Sequence, residues 1–286
     1  MGRLLAGWLT AALLLALAPA SQGATPAPAR AHAQRYFLLV FNAPRPGQQA
    51  EYNRWYDQEH APDVVSIPGF VSAQRYEYNP LQLREVARRK PKYLVLYELR
   101  TRDLPAVLAE VRRRLKSGQT RISPALDPDS GQMYLYRARG ARVAGIGGEA
   151  ADAAAGDRQA YCQVVFGDAT SGQDAAFNAW YDSDHVPALL GMPGFVWAQR
   201  ATLSDVQLVP IDDPSRYLTL FRIETRDLAA VLRQGHRGTE PPASFDRART
   251  FGYTYRAIGP ELSGAAVRAA RSDRRALSTR SQTNSR

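Results

Sequence analysis

One cysteine, Cys162, stands in a chain of 286 residues, so no internal disulfide can form and the folded state must rest on its apolar core. Cys162 falls in an apolar run beside Val164 and Phe166 with no histidine near it in sequence, which marks it as a small buried hydrophobe rather than a nucleophile. Histidine is almost as scarce, with only His32, His60, His185 and His236. No spacing of Cys and His completes a ligand set, so no metal is expected. A Gly-rich phosphate cradle, a dinucleotide fingerprint and a Ser-centred nucleophile elbow are all absent. What remains is plain binding or chemistry without a cofactor. Long hydrophobic runs are missing too: the apolar stretch Leu4 to Leu17 falls short of the roughly 20 residues a membrane span needs.

That stretch follows Arg3 and precedes Ala18-Pro19-Ala20, the charge, length and small-residue pattern of a secretory signal peptide. Residues 1–20 are read as the signal and 21–34 as a flexible Ala/Pro-rich leader. A periplasmic or secreted location follows, with an uncleaved anchor as the alternative and no stable membrane insertion after cleavage. The net charge of +10 does not indicate a nucleic-acid partner. Much of it lies in a polar tail, residues 259–286, which carries Arg268, Arg271, Arg274, Arg275, Arg280 and Arg286 and reads as disordered. The other basic clusters, around Arg88 and Arg113, lack the interleaved aromatics that stack bases.

What the sequence does contain is a repeat. Trp55-Tyr56-Asp57-Gln58-Glu59-His60-Ala61-Pro62 returns as Trp180-Tyr181-Asp182-Ser183-Asp184-His185-Val186-Pro187, 125 positions later. Pro68-Gly69-Phe70-Val71 and Ala73-Gln74-Arg75 return at the same offset as Pro193-Gly194-Phe195-Val196 and Ala198-Gln199-Arg200. One internal duplication therefore organises the chain, with repeats over 35–140 and 159–258 and an Ala/Gly-rich linker over 141–158 between them. In the first repeat the patterns predict strands at Tyr36–Phe41, Phe70–Tyr78, Tyr93–Leu99 and Met133–Arg137. Helices are expected over Gln48–Ser66 and from Leu104 to about Leu115, the latter capped by Asp103. The second repeat gives the same order, with its later helix cut short by Gly235, Gly238, Pro241 and Pro242. The fold expected is α+β: two tandem ferredoxin-like βαββαβ repeats packed sheet to sheet. Such a chain is its own pseudodimer and can stand as a monomer.

The Trp-Tyr-Asp-x-x-His-x-Pro run, the Pro-Gly-Phe turn and Arg75-Tyr76 resemble the dimeric α/β-barrel superfamily, nearest to its EthD-like branch. The resemblance covers both repeats. It implies an intramolecular dimeric α/β barrel, and it leaves the reaction open, because the superfamily includes cofactor-free monooxygenases, polyketide cyclases, dehydratases and haem enzymes. No axial haem ligand stands out here, and no cofactor is expected.

Candidate site residues follow from the repeat. Asp57 and His60 lie three apart on one helix, as do Asp182 and His185, so each carboxylate could orient its imidazole as a general base. These four are the catalytic candidates, and relatives that the chain resembles use a His in this region for proton transfer. The alternative has His60 satisfying carbonyls at a helix end. Tyr56, Tyr181, Arg75, Arg200 and Tyr76 are the ligand-binding candidates, each Arg either clamping a ligand carboxylate or enolate or simply pairing with an acidic helix residue. Tyr76 has Ala201 as its counterpart. Two functions remain open: an exported small-molecule-binding protein with a pocket for a small apolar carbonyl or aromatic compound, and a cofactor-free dehydratase-, cyclase- or monooxygenase-like enzyme using His60 and Asp57.

Overall fold

The computed structural model describes residues 32–83, 92–146, 158–235 and 239–283. The expected signal peptide, most of the leader, the centre of the linker and His236 lie outside these residues. From residue 33 onward the chain forms one compact unit. In its first half, β1 (Gln34–Asn42) leads to α1 (Gln49–Trp55), a π-helical turn (Tyr56–His60) and α2 (Ala61–Val65). Then follow β2 (Phe70–Tyr78), β3 (Tyr93–Thr101), α3 (Leu104–Lys116) and β4 (Gln132–Ala144). The second half has β5 (Gln159–Gly167), α4 (Asp174–Trp180), a second π-helical turn (Tyr181–His185) and α5 (Val186–Leu190). It closes with β6 (Phe195–Leu203), β7 (Tyr217–Thr225), α6 (Leu228–Gly235), β8 (Phe251–Ser263) and α7 (Gly264–Thr283). No helix among the described residues is long and apolar enough to cross a membrane.

The eight strands close into a single antiparallel barrel in the order β1-β3-β2-β8-β5-β7-β6-β4. This corrects the expected architecture of two ferredoxin-like repeats packed sheet to sheet: there are not two sheets facing each other but one continuous hydrogen-bonded wall. The physical reason is the length of β4 and β8. Each has 13 residues, more than twice what its own half can pair. β4 bonds β1 through Gln132–Arg137 on one side and β6 through Tyr136–Ala144 on the other. β8 does the same, with β5 through Phe251–Arg256 and β2 through Tyr255–Ser263. Closure removes every open sheet edge.

Alternation along the strands then divides the core into three. Phe37, Leu39 and Phe41 of β1 point into the barrel with Leu94, Leu96, Val164, Phe166, Leu218, Leu220, Tyr253 and Tyr255. Leu38 and Val40 point outward beneath Tyr52, Trp55, Val64, Leu104 and Leu108 of the first-half helices. The second half repeats that outer layer with Phe177, Tyr181, Leu189, Phe221, Ile223 and Val231. Strands buried on both faces explain why their sequences read as near-continuous apolar runs.

Both crossing strands carry a bulge where they pass from one half to the other. Gly140 and Gly259, 119 positions apart, sit there at φ 69° and 66°, beside register shifts in the β4–β6 and β2–β8 ladders. A left-handed residue lets the strand bend and twist without breaking the wall. Two further corrections concern these segments. The linker was expected to begin at 141, but β4 runs to Ala144. The tail expected to be disordered from 259 instead completes β8 and forms α7, which docks on the first half: Arg268 donates to the carbonyls of Val65 and Phe70 at 3.2 and 3.1 Å, and Arg271 pairs with Asp63 at 2.5 Å.

No atom lies within 4 Å of where a Cβ would sit on Gly140 or Gly259, so an alanine there tests backbone strain alone. Gly140→Ala and Gly259→Ala should each lower stability by about 1 kcal/mol, and additively in the double variant, as read from urea midpoints. No change in either would remove the bulge from the account of closure.

Candidate functional site

The repeated motif folds into a side-chain clamp. Arg75 on β2 points away from the barrel toward α1, where its guanidinium is only 5% exposed. Its Nη1 donates to Asp57 Oδ1 at 2.5 Å, and its Nη2 donates to Asn53 Oδ1 at 2.7 Å. The cation sits 4.8 Å from the Tyr56 ring centre and 5.6 Å from those of Tyr52 and Tyr93, so a desolvated charge is balanced by a carboxylate, an amide and ring faces. The second half reproduces this. Arg200 donates to Asp182 at 2.7 Å and to Asn178 Oδ1 at 2.8 Å, over the Tyr181 ring at 4.6 Å. Asn53 and Asn178 are also 125 positions apart, a sign in the sequence that motif reading passed over.

The neighbouring Gln74 and Gln199 serve a different contact. Gln74 Nε2 donates to the carbonyls of Ile258 and Gly259, both at 3.2 Å. Gln199 Nε2 reaches those of Arg139 and Gly140, both at 3.4 Å. Each half thus supplies a buried amide to the bulge of the other half's crossing strand. In Ala-Gln-Arg, the Gln holds the barrel seam and the Arg holds the helix.

The catalytic pairing expected within the motif does not form. Asp57 faces Arg75, and His60 faces the Arg121 carbonyl oxygen, 3.4 Å from Nδ1. A carbonyl only accepts, so Nδ1 carries the proton. The Trp55 indole N–H donates to the same oxygen at 3.2 Å, and the Trp55 and His60 ring centres are 4.6 Å apart. His185 likewise lies against Trp180 at 4.6 Å and places Nδ1 3.2 Å from Thr239 Oγ1, not on Asp182. The π-helical turns explain the geometry. In a regular helix the rings of Pro62 and Pro187 would meet the carbonyls four residues back. Here Ala61 and Val186 instead bond carbonyls five residues back, on Tyr56 and Tyr181, widening the helix so that the prolines fit. Tyr76 is also separated from this group. One residue beyond Arg75, it points into the barrel beside Cys162, whose thiol burial pushes up to about 12.

Burial lowers His60 to about 4, against opposing pulls from the Arg121 carbonyl and Asp63. Burial, helped by Arg200, lowers His185 to about 4 as well. Both imidazoles are neutral at pH 7.

A pocket opens elsewhere, at one end of the barrel, with a volume of about 140 Å³. Its aromatic walls are Phe41, Tyr134, Phe166, Phe251 and Tyr253, and the loop between β6 and β7 closes one side with Asp212, Asp213 and Ser215. Phe41 and Phe166 are 125 positions apart and Tyr134 and Tyr253 are 119, so the pocket lies where equivalent residues of the two halves meet. Phe166 packs on Phe251 at 5.3 Å and on Tyr134 at 5.7 Å. Because its rings come from β1, β4, β5 and β8, no local motif announces it.

No protein-family model and no curated protein matches the chain. Solved structures do. A protein named "Putative monooxygenase" from Fusobacterium nucleatum superposes with a TM-score of 0.53 at 7% identity, over 81% of this chain and 95% of that one. An anthrone oxidase-like protein gives 0.48 at 14% identity, over 81% and 93%. A mutant chlorite dismutase from Candidatus Nitrospira defluvii gives 0.44 at 13%, over 79% and 92%. These neighbours are dimeric α/β-barrel proteins. The likeness to the first of them is one of fold and carries no reaction with it.

Two outcomes test the clamp and the histidines. Asp57 is half exposed, so Asp57→Asn should cost about 1 kcal/mol. Arg75→Ala strips Asn53, Asp57 and three rings of their partner and should cost roughly 3 kcal/mol, both read from urea midpoints. For the histidines, the unfolded chain titrates near 6.5 and the folded chain near 4. The unfolded state therefore binds more protons as pH falls between these values, and stability drops across that window by on the order of 2 kcal/mol per histidine. His60→Gln with His185→Gln should flatten this part of the profile; an unchanged slope would show that other groups set it.

Proposed function

We propose that this is an exported small-molecule-binding protein whose ligand site is the aromatic mouth of the barrel, suited to a small apolar carbonyl or aromatic compound. The supporting observation is the pocket itself: five aromatic side chains from both halves border a space of about 140 Å³, and a cavity of about 150 Å³ accommodates a benzene-sized molecule. Export rests on the Arg3 to Ala20 segment, and the Trp-Tyr-Asp-x-x-His-x-Pro motif keeps the EthD-like branch as the nearest family. On this reading the motif is architectural. Its aspartates, Asp57 and Asp182, are consumed with Arg75 and Asn53, and with Arg200 and Asn178, in a clamp that appears twice, as a packing device requires.

The second reading, a cofactor-free enzyme, draws on one observation. The Arg121 carbonyl fixes the His60 proton on Nδ1, which leaves Nε2 as a lone pair that could accept a proton. Asp57 would then act only by holding the helix through Arg75, not by orienting the imidazole.

Titration with a panel of small aromatic aldehydes and ketones, followed by NMR, separates the two. Binding should perturb the signals of Phe166, Phe251 and Tyr253, and Phe251→Ala or Tyr134→Ala should weaken it at least tenfold. If the perturbed signals instead surround His60 and Trp55, and His60→Ala abolishes turnover of the bound compound, the enzyme reading replaces the first.

A further inference from the structure

The end of the barrel opposite the aromatic mouth is lined by charged side chains. The alternation that carries Phe37, Leu39 and Phe41 inward puts Arg35 on the same face of β1. Glu98 pairs with Phe37 across the β1–β3 ladder and shares that face. On the other side of β1, Trp197 pairs with Ala144 across the β4–β6 ladder and packs on the interior cluster, so Arg142, two residues before Ala144, faces inward as well. These side chains form one group. Arg142 donates to Glu98 Oε2 at 2.8 Å, and its guanidinium lies 4.1 Å from the Trp197 ring centre. Arg35 donates to Gln199 Oε1. Its Nε stands 3.6 Å from Glu98 Oε1, beyond hydrogen-bond reach, and is buried without an acceptor.

Glu98 thus stands between two guanidiniums and satisfies one of them. Among the described residues it is the one carboxylate within ion-pair distance of either. The other half does not repeat the group. Arg35, Glu98 and Arg142 correspond to Ala160, Arg222 and Glu261, at offsets of 125, 124 and 119. The devices that hold the fold, the clamp and the seam amides, occur in both halves, whereas this pair of guanidiniums occurs in one. Arg35 and Arg142 keep 27% and 37% of their side chains exposed, so a small solute can reach them.

We propose that this end of the barrel is a second ligand site, separate from the mouth, and that it takes the carboxylate of a small organic acid between Arg35 and Arg142. Glu98 shows both the fit and its limit. Its planar carboxylate turns one oxygen toward each guanidinium, but, tethered to β3, it bonds Arg142 and stops short of Arg35. A free carboxylate has no tether and can meet the N–H groups that both guanidiniums turn to solvent, in the charge-assisted geometry such forks favour. Gln199 holds Arg35 and the Trp197 ring holds Arg142, so little ordering is left to the moment of binding. The incoming anion lies beside Glu98 and is opposed by its charge, which makes Glu98 a competitor of the ligand.

Isobutyrate and isobutyramide have the same shape and differ in charge, and neither is aromatic, which makes them the test pair. NMR titration of the mature full chain at low salt is followed at the Trp197 indole N–H, assigned with Trp197→Phe. Isobutyrate should bind about tenfold or more tightly than isobutyramide. Arg35→Gln and Arg142→Gln should each remove most of that preference, Glu98→Gln should tighten isobutyrate severalfold, and Phe251→Ala at the mouth should change neither probe. Urea midpoints establish that each variant is folded; should one arginine variant fail to fold, the other and Glu98→Gln carry the test. Equal binding of the two probes, no binding of isobutyrate, a preference that survives the arginine substitutions, or weaker binding in folded Glu98→Gln overturns the site. Each of these results leaves the aromatic mouth as it stands.

Discussion

Everything in this molecule depends on the exchange of one strand between its halves. β4 and β8 begin paired to their own half and finish paired to the other, so neither half has a complete sheet without its companion. The transition requires a bend, which Gly140 and Gly259 provide, and a bent ladder leaves carbonyls without strand partners in a buried place. Gln199 and Gln74 answer that need with their amides. An unmet buried carbonyl costs on the order of 1–3 kcal/mol, so the seam is held by the cost of opening it as much as by the bonds it contains.

Once the barrel is closed, its outer face has to be covered, and the clamp on each side does this. Arg75 and Arg200 rise from the strand beside the seam glutamine and fix the first helix of each half through an asparagine, an aspartate and a tyrosine ring. The helix can then carry a Trp, a Tyr and a His on its inner side only if a proline-compatible π-turn lies between them. Seam, clamp and turn are thus consecutive consequences of one arrangement. Joining the halves in one chain adds a freedom that identical subunits lack: the two sides of the barrel mouth can differ. Gln132 and Phe251, equivalent positions of the two halves, both border the pocket but differ in chemistry, and the Asp212–Ser215 loop borders it from the second half.

How much of this was readable in the sequence depends on whether the signal was local. The strands of the first half were legible because β1 is a continuous apolar run and β2 and β3 keep their alternation, and the Trp-Tyr-Asp-x-x-His-x-Pro helix was found by its repetition. The extension of β4 past Arg137 was not, since Ala-Arg-Gly-Ala-Arg has neither alternation nor β-branched residues; it is strand because β6 is waiting beside it. α7 was hidden for a similar reason, its arginines being read as solvated charge although two of them dock on carbonyls and Asp63. The clamp was half visible. Arg75 and Asp57 were both singled out, but Asp57 was assigned to His60 by helical spacing, whereas the strand below offered it a buried guanidinium at 2.5 Å. Tyr76 was grouped with Arg75 as its sequence neighbour, and strand alternation sends the two to opposite faces. The aromatic mouth lay beyond local reading altogether, because its rings are drawn from four strands far apart in the chain.

Native-state hydrogen exchange on the crossing strands examines the central claim most directly. If the halves are welded by strand exchange, the hydrogen-bonded amides of 138–144 and 257–263 will open only with global unfolding, at the same free energy as those of β3 and β7 inside each half. If those amides exchange freely while 132–137 and 251–256 stay protected, the halves are separate bodies and the closed barrel is wrong.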